Sequence, residues 1–381
     1  MRWAMNLRYG MNPHQRPATV EPLDGTAPVR VLHGEPSYIN MLDALGGWQL
    51  VREAAGALGR PAAASFKHVS PAGAALAGAL DAAMTESYRL GPGPAGALTS
   101  AYVRARDTDP KSSYGDFAAV SAPVDAELAD LLRRLVCDGI VAPGYEPGTV
   151  ATLSAKKNGA FVVLEADPAY QPPTQEVRDV CGLRFVQPRD DAVLDRTTLA
   201  DVQVGTVPDG ARDDLLLGLI VVRHTQSNSV AYVRDGMTLG VGAGQQSRVD
   251  GVRLAGAKTD TWWLRRHPRV QALTTGGDRK IQDRINDQIS YLDADPAMRE
   301  DGTGPVPLTG ADRARWLRQL DQVALASDGA LPFPDNIDHA HRHGVRYIAE
   351  PGGSTRSADV AAACQDRGIA LIHTGLRLFR H

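Results

Sequence analysis

Apolar residues along the chain fall into short blocks, some at helical spacing and some continuous, punctuated by glycine and proline. A polar start at Tyr38-Ile39-Asn40 before apolar positions at helical spacing predicts a helix ending near Leu58-Gly59. The run Ala62-Ala63-Ala64 then leads into Ser65-Phe66-Lys67-His68-Val69. We read it as a strand, followed by a sharp turn at Ser70-Pro71-Ala72-Gly73 and the start of a helix. An Ala-rich helix is expected from Leu76 to Leu90, with Gly91 to Gly96 as the loop that breaks it. A strand at Phe117–Val120, a helix from about Ala126 to Leu135 and a short buried strand within Cys137–Tyr145 follow.

Composition changes at Pro168-Ala169-Tyr170-Gln171-Pro172-Pro173, which places a domain seam near Glu176. Beyond it the pattern predicts a helix over Asp213–Arg223, a strand at Val230–Val233 and a glycine-rich loop over Met237–Asp250. That loop lacks the spacing of a dinucleotide fingerprint, and no acidic residue ends a following strand. Trp262-Trp263 reads as a packed helix end, and Asp301–Pro307 as a second linker. The last part predicts a helix carrying His339, His341 and His343, and strands around Tyr347 and Leu371. Alternate histidines on a helix cannot all face one metal. No internal repeat and no low-complexity segment is read.

The 381 residues suffice for two domains, and 43% apolar with 22% charged residues is an ordinary globular balance. A net charge of −3 gives no chain-wide basic surface for nucleic acid. The three cysteines, Cys137, Cys181 and Cys364, are widely spaced, which argues against structural zinc and for a reducing compartment. The N-terminus lacks the apolar core of a signal peptide, and no run approaches a membrane span. A cytoplasmic protein is expected.

Chemistry concentrates in the Lys67-His68 pair. Alone, such a pair is a surface lysine beside a core histidine; its neighbours change that reading. Near the N-terminus, Arg8, Tyr9, Asn12, His14 and Gln15 form a dense donor set suited to clamping a ligand. Arg8 has the planar fork that binds two phosphate oxygens. Ser112, Ser113 and Gly115 make a small-residue loop, and Asp138 stands at the mouth of a buried strand.

Taken together, the words LRYGMNPHQ, SFKHVSPAGAA, RARDTDP with SSYGD, DGIVAPGY, TQSNSV, GAGQQSR, WWLRRHP, SDGALPFPDN with PGGS, and TGLRLF resemble the AICAR transformylase family. In that family the transformylase usually accompanies an inosine monophosphate cyclohydrolase. The matches run in order from Leu7 to the C-terminus, so a stand-alone transformylase served by a separate cyclohydrolase is expected. The resemblance implies an α/β fold of two tandem cytidine-deaminase-like three-layer units without catalytic zinc. One unit would comprise residues 1–176 plus 321–381, the other residues 177–320. It also implies a homodimer with shared active sites, no nucleic-acid or membrane partner, and no metal beyond an allowed structural monovalent cation.

The implied reaction transfers the formyl group of 10-formyltetrahydrofolate to the 5-amino group of AICAR, a poor nucleophile. His68 would move the proton and Lys67 would stabilise the oxyanion or protonate the departing folate nitrogen. Asn228 would orient the formyl oxygen or His68. The resemblance assigns Arg8, Tyr9, Arg248 and Arg377 to the phosphate and ribose, and Ser113, Tyr114 and Gly115 to the border of the joint site. Phe333 and Asn336 would touch the base or folate, with Asp138, Ile140, Val141, Ala142, Pro143 and Pro332 around the folate.

The chain departs from the family where Ser-Asp-Ala-Phe-Phe-Pro-Phe-Arg-Asp-Asn becomes Ser327 to Asn336. Ala330 and Leu331 replace aromatics, and Pro334 replaces an arginine. Lys111 also stands where a smaller or neutral residue is common. These changes motivate a rival acceptor, a related amino-heterocycle in a specialised pathway. A non-catalytic nucleotide- or folate-binding homologue and a zinc hydrolase are further classes. The Lys67, His68 and Asn228 trio argues against the former, and the lack of paired cysteines against the latter.

Overall fold

The computed structural model describes residues 4–23, 25–273, 279–294 and 305–381. Asp301–Gly304 of the expected second linker lie outside the described residues. Among the described residues, twelve strands form one mixed sheet. From edge to edge they are Val202–Val204, Ala370–His373, Val345–Glu350, Val323–Ser327, Val230–Arg234, Met237–Gly242, Ser70–Leu76, Ala62–Lys67, Asp116–Val120, Cys137–Ala142, Val162–Ala166 and Val29–His33. Helices cover both faces. Tyr38–Leu58 and Asp209–Arg223 pack on one face, and Ala97–Asp107, Ala126–Arg134, Arg248–Leu264, Pro334–Arg342 and Ser357–Asp366 on the other. This is a mixed α/β architecture with strands buried on both sides.

The sheet repeats itself. Read inward from either edge, neighbouring strands pair antiparallel, parallel, parallel, antiparallel and antiparallel. The halves meet where Met237–Gly242 pairs with Ser70–Leu76 through Met237 and Ala75. Equivalent positions carry equivalent packing. Gly47 and Gly218, each the tenth residue of its helix, let the helix approach the sheet: an added Cβ would lie 2.8 Å from Ala119 and 2.7 Å from Ala326. Gly73 and Gly240 play the same part on the other face, where a Cβ would come within 2.2 Å of the carbonyls of Ala105 and Ala255.

Several expectations are corrected. The segment after Lys67 forms no helix: Ala62–Lys67 and Ser70–Leu76 are two strands of a tight hairpin, turning at His68-Val69. Pro71 is accommodated because the register shifts beside it, between Ser65 and Phe66. Leu76 ends that strand, and only Ala82–Ser87 of the expected Ala-rich helix is helical. Met237–Gly242 is a buried strand rather than a loop, its glycines admitting the helix Arg248–Leu264. A repeat not read from the sequence is present in the topology. Strands from Val323 onward pair with Val230–Arg234 and reach Val202–Val204, so residues 321–381 do not pool with residues 1–176 in the sheet.

The segment joining the halves carries an exposed two-stranded hairpin, Gln175–Val180 with Leu183–Pro188. Among the described residues no helix is long and apolar enough to cross a membrane.

Candidate functional site

Strand register decides which loops share an end of the sheet. Lys67 pairs with Ser70 at the hairpin tip, and Phe66 pairs with Phe117, so Tyr114, Gly115 and the start of Asp116–Val120 lie at that end. Asp116 aligns with Cys137, which brings Asp138 there too. Across the seam, Val230 aligns with both Gly242 and Ser327. The loops holding Asn228, Gln245 to Ser247 and Asp328 therefore gather at the same end. A long hydrogen bond of 3.4 Å from the Gln226 N–H to the Ser70 hydroxyl joins the two groups.

The hairpin tip is unusual. His68 and Val69 both adopt left-handed backbone, with φ of 53° and 61°. A β-branched residue with φ above zero is rare, and needs a neighbour to hold it. That neighbour is Asp43, whose carboxylate accepts the Val69 N–H at 2.7 Å. Asp43 is buried within the helix Tyr38–Leu58, and burial pushes its carboxyl up to about 6, against the opposing pull of the turn N–H groups and of His68. His68 is exposed, while half-buried Lys67 directs its ammonium to the carbonyl of Tyr114. Asp138 pairs with Lys157 beside Gly115, and its charge also reaches Asp43. Tyr114 is exposed over this cluster.

The opposite wall is organised by Asp328, which is fully buried. One carboxylate oxygen accepts from Arg248; the other accepts from the Ser227 hydroxyl and, at 3.0 Å, from the Ser229 N–H. Arg248 also donates to the Ser229 carbonyl at 2.9 Å and to the Asn228 carboxamide oxygen at 2.7 Å. The backbone of Asp328 accepts the Leu378 N–H at 2.9 Å, which ties in the C-terminal segment. One buried acid thus fixes three loops. Arg377 lies exposed over the Phe379 ring at 4.8 Å, and Arg356 lies over the exposed Phe333 ring at 5.3 Å. Pro332 precedes Phe333 on the loop leaving Asp328. Glu350, buried at the end of its strand, accepts the Leu331 N–H at 2.9 Å and faces His373 at 3.1 Å.

The arm with Arg8 and Tyr9 is anchored at this end as well. The Arg8 N–H donates to Pro36 and Tyr9 accepts the Tyr38 N–H, both at the entrance of the helix that holds Asp43. Arg8 donates to the Tyr9 hydroxyl at 3.2 Å. Not every expected residue converges. Ser113 is fully buried, its hydroxyl accepting from Ser65 beside the buried Asp116 and Arg106. Ile140, Val141 and Ala142 are core residues running away from the hairpin tip. Pro143 lies at the far end, in a groove with Val29 and Glu165. Asn336 is buried in the first turn of its helix and donates to the Phe333 carbonyl at 3.0 Å.

Asp43, Asp328 and Glu350 were not singled out from the sequence. Asp328 lies inside the matched word SDGALPFPDN, and Glu350 directly precedes the matched word PGGS. Asp43 gave only the signal of an acid set among apolar helix positions. Among the described residues, no group of three His, Cys, Asp or Glu side chains is arranged to hold a metal.

Comparison with known proteins adds a family and relatives. The model of the AICARFT/IMPCHase bienzyme family matches residues 1–258. The bifunctional purine biosynthesis protein PurH of Roseobacter denitrificans is 33% identical over 386 residues, covering 99% of this chain and 60% of the relative. Those of Ruegeria sp. and Cereibacter sphaeroides are 31% and 32% identical with the same coverage. The chain spans about 60% of the length of these relatives.

Proposed function

The chain belongs to the AICARFT/IMPCHase bienzyme family, and from that premise we propose that it transfers the formyl group of 10-formyltetrahydrofolate to the 5-amino group of AICAR in purine biosynthesis. The observation that carries this reading is the meeting, at one end of the sheet seam, of the Lys67-His68 turn with the Arg248–Asn228–Asp328 wall.

The amine of AICAR is a weak nucleophile because its lone pair is delocalised into the ring. His68, exposed at the tip, takes its proton as the new C–N bond forms. The ammonium of Lys67, half-buried and steered by Tyr114, stabilises the tetrahedral oxyanion and protonates the departing folate nitrogen. Asn228 gives its carboxamide oxygen to Arg248 and one amide hydrogen to the Gln246 carbonyl at 3.1 Å, leaving the other hydrogen for the formyl oxygen. Arg8, Tyr9 and Arg377 bind phosphate and ribose, Arg248 acting through Asn228. Asp138, Tyr114, Gly115, Pro332 and Phe333 flank the folate and base. Ile140, Val141 and Ala142 support that wall from the core, with no direct contact.

We further propose that each half of the sheet is one cytidine-deaminase-like unit, and that two chains pair with their sites facing. Exposed Tyr114, Phe333 and Phe379, at 51%, 49% and 43%, are the apolar surface such pairing would cover.

A related amino-heterocycle as acceptor is a second reading at half-buried Ala330 and Pro334. Leu331 is 1% exposed and belongs to the core, so its loss of an aromatic ring removes no open stacking surface. The test is tetrahydrofolate release by the purified chain with AICAR and a panel of amino-azoles. The proposal expects AICAR to be preferred and His68→Ala to lower turnover roughly a hundredfold. Equal turnover by the variant would remove His68 from the chemistry.

A further inference from the structure

We propose that Asp43 is a positioning residue: its carboxylate holds the left-handed backbone at His68 and Val69 that presents the imidazole and the lysine together. The inference rests on the formyl-transfer reading for its kinetic consequence, while its geometric content stands on the hairpin alone.

The internal repeat supplies the argument. Asp43 is the sixth residue of the helix Tyr38–Leu58, and Asp214 is the sixth residue of Asp209–Arg223. Each helix precedes a strand, a two-residue turn and a second strand. Asp214 accepts the Asp235 and Gly236 N–H groups at 2.9 and 2.6 Å, in a turn with φ of 55° and 74°. Asp43 holds the equivalent turn through Val69 at 2.7 Å, with a contribution from His68. Both acids are buried, and burial raises both to about 6.

The two turns differ where chemistry would act. The second has glycine at its tip, which adopts positive φ without steric cost. The first has valine there, which does not, so it depends more on its acid. Lys67 and His68 occupy the positions of Arg234 and Asp235. Gly236 is backed by Arg60, and the Asp235 carbonyl by Arg104. Arginines thus back the second tip's backbone and its exposed Asp235 carboxylate pairs with Arg234, whereas the first tip exposes an imidazole. The repeat contains its own structural control.

The groups facing Asp43 are His68 and the Val69 N–H from the hairpin and Asp138 from the strand Cys137–Ala142. An ionised carboxylate is the stronger acceptor, so the turn tightens as the pH rises through about 6 and loosens below it.

The test compares the full chain with its Asp43→Asn, Asp43→Ala and Asp214→Asn variants. Formylation of AICAR by 10-formyltetrahydrofolate is followed from pH 5 to 9, and the Val69 amide resonance is followed by NMR. The expected result is that Asp43→Ala lowers kcat roughly 10- to 100-fold with KM for AICAR little changed. Asp43→Asn, which keeps an acceptor oxygen, restores part of kcat but changes the shape of the profile near pH 6. Asp214→Asn leaves kcat and its profile as in the parent. In the parent the Val69 amide titrates near pH 6, and in Asp43→Asn it does not. A parental profile in Asp43→Asn, an equal loss in Asp214→Asn, or a Val69 amide that does not titrate overturns the proposal. A parent chain that releases no tetrahydrofolate overturns the formyl-transfer reading instead, and the Val69 titration then decides the positioning role by itself.

Discussion

The guanidinium of Arg248 donates to the carboxamide oxygen of Asn228 at 2.7 Å, and this contact sets which way the amide faces. With its oxygen held by a charged donor and one amide hydrogen on the Gln246 carbonyl, Asn228 has one N–H left to offer. A donor fixed in place before reaction is what a developing oxyanion requires. Asn228→Asp keeps the pair with Arg248 and removes the donor. Its turnover should fall roughly a hundredfold with little change in stability, as steady-state formylation and urea unfolding would read. Near-parental turnover would exclude the carboxamide from the oxyanion's surroundings.

Asp328 bears on stability and activity together. Asp328→Ala leaves the Arg248 guanidinium, 7% exposed, without its carboxylate and frees Ser227 and Ser229 from their common acceptor. Breaking a buried pair in this way costs about 3–5 kcal/mol. Denaturant unfolding should show that loss, and formylation should fall in the fraction that remains folded.

The glycines of the two long helices offer a packing test. Gly47→Ala and Gly218→Ala push a methyl group against Ala119 and Ala326, and each should destabilise by about 1–3 kcal/mol. Gly56→Ala, on an exposed part of the first helix with no atom near its Cβ, should instead stabilise by up to about 1 kcal/mol. Thermal unfolding of the three variants checks both signs.

Asp214 makes stability depend on pH in a defined direction. Its folded carboxyl lies near 6, above the ordinary 3.8, so the folded chain binds the extra proton between those values. Stability from this group is therefore present at low pH and lost as pH rises through about 6. Replacement by asparagine removes the dependence. The parent should gain on Asp214→Asn by at most about 3 kcal/mol between pH 7 and pH 4. His224 acts the other way: burial holds its imidazole below the usual range, so its share is lost as the solution is acidified. Taking the difference between parent and variant cancels that share.

What could be read from the sequence follows from where the physics is local. The helix Tyr38–Leu58 was legible because its polar start and its stop at Gly59 are written in the residues at its own ends. The strand Ser70–Leu76 was not, because its alanines favour a helix in isolation. In the fold their small size serves close packing of helices on both faces. The repeat escaped notice because few positions are identical between the two helices, Asp43 with Asp214 and Gly47 with Gly218 among them. Lys67, His68 and Asn228 stood out within polar loop words. Asp43 reaches the turn only through folding, and a carboxylate on a helix usually means a solvated face.

The seam has a practical consequence. Each half owns a complete run of strands, and the inner edges Ser70–Leu76 and Met237–Gly242 recognise one another through backbone hydrogen bonds. A chain severed at the exposed tip Cys181-Gly182 should yield two fragments that reassociate along those edges. Neither fragment alone would carry both walls of the cleft, so recovered turnover would report reassembly itself.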